Sequence, residues 1–185
     1  MLLVRHGQSE FNVVFSKTRK DPGIRDPKLT DEGRRQAEAA ATALRAHNVR
    51  RLVSSPYTRA LETAHIIADA LGGLEIHIDC RVGERAAFAC DVGTPVSALR
   101  QSWPRLVLDH IAEEWWPRLE ESEEGLALRA RHFHDEWDPH PERSEIAVVT
   151  HWGFIRASTG LTVPNCTVVR MSSRGAAEIV HPRET

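Results

Sequence analysis

Short apolar runs alternate with longer amphipathic stretches along the 185 residues of the chain. Each run is largely rich in Val, Ile or Leu and is bounded by turn or polar residues, a pattern typical of buried strands. Six strands are therefore predicted, at Met1–Val4, Arg51–Ser54, Leu74–Ile78, Glu145–Val149, Thr167–Met171 and Ala177–Val180.

The amphipathic stretches between these runs place apolar residues on one face at helical spacing. Thr30 suits the N-cap position of the first such stretch, and Gly72-Gly73 ends the second. Four helices are predicted, from Thr30 to about Arg45, from about Thr58 as far as Gly72, from about Glu123 to Trp137, and from Gly153 to Leu161.

Strands that alternate with helices indicate an α/β fold with three layers, α/β/α, around a mainly parallel central sheet. The length predicts a single domain over residues 1–185. Two stretches, Asn12–Lys28 and Arg81–Pro95, are predicted to be long connections. Connections of this length in a compact domain are usually functional.

The charge balance adds few constraints, with 24 Lys and Arg residues against 26 Asp and Glu residues. A chain so close to neutral has no general attraction for nucleic acid or for an anionic membrane, so neither is expected as a partner. Three cysteines without a CxxC pair, the absence of a signal peptide, and no run of about 18 apolar residues indicate a cytoplasmic protein.

Polar groups suited to catalysis follow four of the predicted strands. Ligands of open α/β sheets bind outside the carboxyl ends of the strands, so groups that follow parallel strands are expected to meet at one edge. These groups are Arg5-His6-Gly7 after the first strand, Ser54-Ser55-Pro56 with Arg59 after the second, Glu84 after the third, and Thr150-His151-Trp152-Gly153 after the fourth.

Two histidines, two arginines and a carboxylate at one edge favour phosphoryl transfer. Arginine forks match phosphate oxygens and would repel a metal cation, so no metal and no other cofactor is expected. A neutral imidazole can attack the phosphorus, which divides one hydrolysis into two displacements. A carboxyl group can protonate the leaving oxygen in the first displacement and activate water in the second.

The segment Leu3–Asn12 resembles the signature of the histidine phosphatase superfamily, in its phosphoglycerate mutase-like branch. Three further blocks fit the same resemblance in the family order and spacing, namely Leu29–Gly33 with Gln36-Ala37, Ser54–Ala60 with Thr63-Ala64, and Thr150–Gly153. The resemblance covers about residues 1–180 and implies the phosphoglycerate mutase-like form of the three-layer fold.

The same resemblance assigns roles to residues of this chain. It implies that His6 is phosphorylated, that Arg5, Arg59 and His151 line the phosphate pocket, that Asn12 and Ser55 are secondary phosphate contacts, and that Trp152 or Gly153 adds a backbone N–H. Glu84 would be the acid–base residue, with Asp91 and Asp79 as the alternatives.

The predicted function is a phosphatase that hydrolyses a small phosphorylated metabolite, a phosphomonoester, through phosphohistidine on His6. The resemblance implies that a mutase would be longer, with added chain that shields that intermediate from water, whereas only 185 − 151 = 34 residues follow His151. The alternatives are a phosphoglycerate mutase-type phosphotransferase, a protein phosphohistidine phosphatase and a non-catalytic phosphate-binding regulator.

One loop is rich in basic residues, namely Lys17, Arg19, Lys20 and Arg25. These side chains either suit a substrate with a second acidic group or are merely solvated. No feature of the sequence predicts an oligomeric state.

Overall fold

One six-stranded sheet forms the middle layer of the molecule. The computed structural model describes residues 1–173 and 175–181. The strands are β1 (Leu2–Arg5), β2 (Arg51–Ser54), β3 (Ile76–Ile78), β4 (Ile146–Thr150), β5 (Val168–Met171) and β6 (Ala177–His181). Their order across the sheet is β3-β2-β4-β1-β5-β6. Each observed strand overlaps a predicted one.

Four neighbouring strands of this sheet are parallel. β3, β2, β4 and β1 run in one direction, and β1 pairs with β4 from Leu2 opposite Ala147 to Arg5 opposite Thr150. β5 is antiparallel both to β1 and to β6. The prediction of a mainly parallel sheet is therefore confirmed, and the carboxyl ends of β1, β4 and β2 lie side by side.

The helices are α1 (Glu10–Thr18), α2 (Asp31–Leu44), α3 (Thr58–Ala70), α4 (Val96–Ser102), α5 (Glu123–Trp137) and α6 (Trp152–Thr159). Four of them, α2, α3, α5 and α6, closely match the predicted helices. Helix α4 was not predicted. Among the residues described, none of the helices combines the length and the apolar character that crossing a membrane requires.

Helix α1 lies where the sequence predicts a connection, so that prediction is wrong over Asn12–Thr18. Ser9 starts the helix as its N-cap, because its Oγ accepts from the Asn12 N–H and its own N–H donates to Asn12 Oδ1 at 3.0 Å. Phe11 and Phe15, one turn apart, stack with their ring centroids at 5.1 Å. A reciprocal cap and an aromatic pair thus stabilise a short helix in a polar stretch.

Helices cover both faces of the sheet. Leu2 of β1 lies in a core with α2 and with Ala64 of α3. The next residue, Leu3, lies in a second core with Phe133 of α5 and Phe154 of α6. Successive side chains of a strand point to opposite faces, so the apolar residues of β1 supply both cores. The predicted three-layer α/β/α architecture is confirmed.

Two glycines allow the segment after β1 to lie directly on α2. A Cβ added at Gly7 would overlap the carbonyl of Gly33, and a Cβ added at Gly33 would overlap the carbonyl of Gln8. The Gly7 N–H also donates to Oγ1 of Thr63 in α3 at 3.0 Å. The segment that carries His6 is therefore held by two helices before any ligand arrives.

Candidate active site

The carboxyl ends of β1 and β4 bring the two predicted histidines together. The His6 N–H donates to the carbonyl of Thr150 at 2.9 Å, which continues the parallel ladder past the end of β1. The rings of His6 and His151 lie with their centroids 5.0 Å apart. A cavity of about 620 Å³ opens at this edge of the sheet. Six of the predicted site residues line it, namely Arg5, His6, Asn12, Arg59, Glu84 and Trp152.

The imidazole of His6 has a defined tautomer. Its Nδ1 lies 2.8 Å from the carbonyl oxygen of Gly7, and a carbonyl can only accept, so Nδ1 carries the proton and Nε2 keeps its lone pair. Burial, and then the charges of Arg59 and Arg5, lower the pKa of His6 well below its ordinary value. The ring is therefore neutral near pH 7, which is the form in which nitrogen is a nucleophile.

Arg5 brings a positive charge to the cavity from the end of β1. Its Nη1 donates to the carbonyl of Val163 at 2.7 Å, which orients the guanidinium. Burial lowers the pKa of Arg5 to about 10, with Glu84 opposing the shift. The side chain is therefore still charged at neutral pH.

Arg59 is held on three sides by the protein. Its Nη1 donates to the carbonyl of Cys90 at 2.7 Å and its Nη2 donates to Asp91 Oδ1 at 3.1 Å. The guanidinium carbon lies 4.6 Å from the centre of the Tyr57 ring, a cation–π contact. Tyr57 in turn donates its hydroxyl hydrogen to the carbonyl of Asp91 at 2.8 Å. The plane of this arginine is thus fixed at the cavity wall.

The carboxyl group of Glu84 is held in place by hydrogen bonds to one of its two oxygens. Glu84 Oε1 accepts from the N–H of Arg85 at 2.9 Å and from the N–H of Gly153 at 2.8 Å. The Gly153 N–H, which the resemblance suggests as a phosphate donor, is therefore engaged by Glu84 instead. Burial, and then the neighbouring charge of Asp91, raise the pKa of Glu84, against the opposing effect of Arg59. A carboxyl group of raised pKa inside a cavity is suited to donating a proton.

The two alternative carboxylates are differently placed. Asp79 forms an ion pair with Arg81 at 2.7 Å and lies outside the lining of this cavity. Asp91 lines the cavity, but its Oδ1 accepts from Arg59 and its Oδ2 accepts from the N–H groups of Ala87 and Phe88, each at 3.1 Å. Asp91 therefore holds Arg59 and the loop around Phe88.

His151 and Ser55 lie behind His6. His151 Nε2 is 2.9 Å from Ser55 Oγ, and both residues are fully buried. Neither is among the residues that line the cavity, so the structure shows neither His151 lining the pocket nor Ser55 in contact with it, as the resemblance implies. Burial, and then the charges of Arg59 and His6, lower the pKa of His151 well below its ordinary value.

Asn165 is a site residue that sequence reasoning missed. It lies between α6 and β5, lines the cavity, and donates from Nδ2 to the carbonyl of His6 at 2.9 Å and to Asn12 Oδ1 at 3.2 Å. It links the backbone of His6 to α1. No strand end or motif marks it, because its partners are more than 150 positions away along the chain.

Aromatic side chains also line the cavity, and sequence reasoning missed two of them, Phe11 and Phe15. Phe11, Phe15 and Phe88 lie on one side, and Trp152 lies among the lining residues with Arg156 over its ring at 5.4 Å. Among the four residues of the predicted basic entrance, Arg19 lines the cavity, whereas the other three, Lys17, Lys20 and Arg25, do not.

Known proteins resemble this chain over most of its length. A family model described as "Histidine phosphatase superfamily (branch 1)" matches residues 1–172. A 2,3-bisphosphoglycerate-dependent phosphoglycerate mutase from Thermoplasma acidophilum is 44% identical over 71 residues, a match that spans 37% of this chain and 33% of the mutase. A glucosyl-3-phosphoglycerate phosphatase from Mycolicibacterium vanbaalenii is 29% identical over 186 residues, which covers 91% of this chain and 78% of that protein.

The fold is also similar to that of a solved structure. Mycobacterial glucosyl-3-phosphoglycerate phosphatase in complex with VO3 superposes with a TM-score of 0.67 and 25% identity, over 97% of this chain and 96% of that chain. Because the family model covers 172 of the 185 residues, this chain belongs to the histidine phosphatase superfamily.

Proposed function

We propose that this protein is a metal-independent phosphatase that hydrolyses a phosphomonoester through a phosphohistidine intermediate on His6. The observation that carries the proposal is the hydrogen bond from His6 Nδ1 to Gly7, because it leaves Nε2 as an unprotonated nucleophile in a cavity that also holds two arginines. A small phosphorylated metabolite is the substrate class that a cavity of about 620 Å³ accommodates.

In the first step, Arg5 and Arg59 bind the phosphoryl oxygens and orient the phosphorus toward His6 Nε2. The lone pair of Nε2 forms the N–P bond while the P–O bond to the leaving group breaks. The electrons of that bond remain on the leaving oxygen, which takes a proton from Glu84. The two arginines stabilise the charge that the phosphoryl oxygens carry in the transition state.

Glu84 supplies that proton from a defined atom. Both hydrogen bonds that the described residues donate to its side chain go to Oε1. An oxygen that already accepts two N–H bonds is the poorer site for a proton, so the proton resides on Oε2. The raised pKa of Glu84 keeps a larger fraction of this group protonated near neutral pH than an ordinary glutamate would retain.

In the second step, the Glu84 carboxylate accepts a proton from water, and the oxygen of that water attacks the phosphorus. The N–P bond breaks, its electrons return to His6 Nε2, and inorganic phosphate leaves. Glu84 has regained its proton and His6 its lone pair, so both groups are ready for another cycle.

His151 supports this chemistry from behind His6. Its Nδ1 is buried and has no hydrogen-bond partner within the described ranges. If Nε2 accepts the hydroxyl hydrogen of Ser55, Nδ1 carries a proton. The His151 ring lies 5.0 Å from that of His6, so we propose that a phosphoryl group bound at His6 extends deep enough for one of its oxygens to accept from this N–H. A buried N–H without a partner is costly, and a ligand oxygen removes that cost.

A phosphoglycerate mutase is the second candidate, because relatives with that name match parts of this chain. The first step would be the same. In the second, a substrate hydroxyl would take the place of water and the phosphoryl group would move to it. The two activities therefore differ in the acceptor and not in the roles of His6 and Glu84.

The test is hydrolysis of p-nitrophenyl phosphate in the presence of EDTA, with wild type and His6→Ala. We expect the wild type to keep its activity in EDTA and His6→Ala to lose it by several orders of magnitude. His132→Ala, which removes an exposed histidine, is the matched control and should behave as the wild type.

Other outcomes would contradict the proposal. Loss of activity in EDTA would indicate a required metal. Equal activity in His6→Ala and the wild type would exclude His6 as the nucleophile. A wild type that does not hydrolyse p-nitrophenyl phosphate but isomerises phosphoglycerate in the presence of 2,3-bisphosphoglycerate would establish the mutase. A wild type that catalyses neither reaction would point to a phosphate-binding regulator.

A further inference from the structure

Three phenylalanines form a continuous aromatic wall on one side of the cavity. The ring centroids of Phe11 and Phe15 are 5.1 Å apart, those of Phe15 and Phe88 are 5.1 Å apart, and those of Phe11 and Phe88 are 5.7 Å apart. Phe11 and Phe15 come from α1 and Phe88 comes from the loop after β3. Rings at these separations form favourable contacts with each other and present a shared apolar surface.

This aromatic wall is only partly covered by the protein. Phe11 is 7% exposed and anchors the cluster, whereas Phe88 is 42% exposed. Phe15 is half-buried. Within the described ranges Phe88 is one of six exposed large apolar side chains, and it faces the cavity. When a ligand covers apolar surface in a binding cavity, water is removed from that surface and binding is stabilised.

The backbone on both sides of Phe88 is held in place. The N–H of Phe88 itself donates to Asp91 Oδ2 at 3.1 Å, and the N–H of Ala89 donates to Asp21 Oδ2 at 2.8 Å. Asp91 also holds Arg59. The same carboxylate therefore positions one phosphate-binding arginine and the outermost ring of the wall, so the two are fixed relative to each other.

On the aromatic side, among the residues described, the one arginine of the lining outside the phosphate site, Arg19, lies over the Phe15 ring at 6.0 Å. The other side of the cavity is largely apolar or neutralised. Leu126 and Trp152 line it. The rim arginines Arg85 and Arg156 both lie near the Glu123 carboxylate, at 3.6 and 3.5 Å. Their positive charge is therefore offset by a neighbouring acid, which weakens the attraction of this rim for a second anionic group on a substrate.

From these observations we infer that the preferred substrate is a phosphomonoester whose alcohol carries an uncharged apolar ring, and that this ring binds against Phe11, Phe15 and Phe88. The inference rests on the proposed function, since it places the phosphate at His6. The cavity of about 620 Å³ leaves room for an organic group of this size beyond the phosphate.

Two pairs of compounds test the inference. Ethyl phosphate and 2-phenylethyl phosphate release alcohols of similar acidity, so a difference in kcat/KM reports binding of the ring and not leaving-group chemistry. We expect kcat/KM for 2-phenylethyl phosphate to be higher by about tenfold or more, the order of discrimination that an apolar pocket gives. 3-Phosphoglycerate, with a carboxylate in place of the ring, should be the poorer substrate.

Variants at Phe88 test whether its ring causes the difference in kcat/KM between the two alkyl phosphates. Phe88→Ala should lower kcat/KM for 2-phenylethyl phosphate by about tenfold and leave that for ethyl phosphate within about twofold. Phe88→Leu, which keeps an apolar side chain, should recover part of the loss. Val107→Ala removes another highly exposed apolar side chain, outside the cavity lining, and should change neither value.

A wild type that prefers ethyl phosphate or 3-phosphoglycerate would overturn the inference, as would an equal loss on both alkyl phosphates in Phe88→Ala. Measurements of binding distinguish failure of this inference from failure of the proposed function. Calorimetry with propylphosphonate and 3-phenylpropylphosphonate, which cannot be hydrolysed at the replaced oxygen, needs no turnover. If the wild type hydrolyses no phosphate yet binds the phenyl compound about tenfold more tightly, only the proposed function fails. Equal affinity would overturn the inference itself.

Discussion

At the scale of single residues, the charged groups of the cavity are oriented by the protein before a ligand binds. Arg59 donates to Cys90 and Asp91, Arg5 donates to Val163, and Glu84 accepts from two backbone N–H groups. Groups that are already oriented need little reorganisation when charge develops in the transition state. The proposed catalysis therefore depends on these supporting partners as well as on the groups that would touch phosphate.

Glu84→Gln separates proton donation from the other roles of this residue. Glutamine keeps an oxygen that can accept from Arg85 and Gly153, but it cannot act as an acid. We expect kcat on 2-phenylethyl phosphate to fall by about 10²–10⁴-fold, the usual contribution of general acid–base catalysis. p-Nitrophenolate leaves without a proton, so kcat on p-nitrophenyl phosphate should fall much less. Equal losses on both substrates would show that another group is the acid, and Asp91→Asn would then be measured in the same way.

At the scale of elements, the first turn of α6 positions the carboxyl group of Glu84. The Gly153 N–H donates to Glu84 Oε1, and a Cβ at Gly153 would overlap that same oxygen. The glycine thus lets the Glu84 carboxyl approach the backbone closely, and its backbone conformation is ordinary. The helix that follows β4 therefore holds the Glu84 carboxyl through its backbone, in addition to its packing against the sheet.

Gly153→Ala should displace the Glu84 carboxyl without removing it. We expect a loss of kcat on 2-phenylethyl phosphate of about tenfold to a hundredfold, since small displacements of a reacting group are costly, and a smaller loss on p-nitrophenyl phosphate. Gly125→Ala, in the first turn of α5, is the matched control, because its Cβ would meet its nearest neighbour at an ordinary 3.5 Å. Unchanged kinetics in Gly153→Ala would mean that Glu84 has another productive position.

Elements also show which parts of the fold the sequence can predict. Strands β1, β2 and β4 are apolar runs bounded by polar residues, and α2 has both a capping residue, Thr30, and regular apolar spacing. Local pattern is enough for such elements. Helix α1 was missed because its polar end between Ser16 and Thr18 hides the Phe11–Phe15 pair, and its cap becomes visible only from the Ser9–Asn12 contacts.

The candidate site divides in the same way. His6, Arg59 and His151 were predictable because each follows a strand inside a recognisable block. Three contacts could not be predicted, because they join residues that are far apart along the chain. The separations are 32 positions for Arg59 and Asp91, 69 for Gly153 and Glu84, and 159 for Asn165 and His6. Contacts between distant segments depend on the packed fold and leave no local signal in the sequence.

At the scale of the whole molecule, the site places two neutral histidines inside the protein. Burial is the main cause that lowers the pKa of both His6 and His151 below the ordinary value of 6.5. Below that pH the unfolded chain binds protons that the folded chain does not. The free energy of unfolding therefore decreases as the pH falls from about 6.5, by up to about 1.4 kcal/mol per pH unit for each histidine.

Urea denaturation between pH 7.5 and 5.5 checks this linkage, with His6→Gln beside the wild type. We expect the wild type to lose stability on acidification and His6→Gln to show a shallower dependence, because one buried titrating group is gone. The raised pKa of Glu84 acts in the opposite sense, since its stability contribution decreases as the pH rises from 4.5. It is present in both proteins and does not affect their difference. Equal slopes would show that His6 is protonated in the folded state.

The aromatic wall and the strand ends differ in how freely they can change over generations. Phe88 and Phe15 are partly exposed, so replacing them costs little folding stability. Arg59 and His6 are buried and bonded to the backbone around them, so most replacements would impair folding and chemistry together. We therefore expect substitutions in α1 and in the loop after β3 to change which alcohol binds, while the residues around His6 and Arg59 change little.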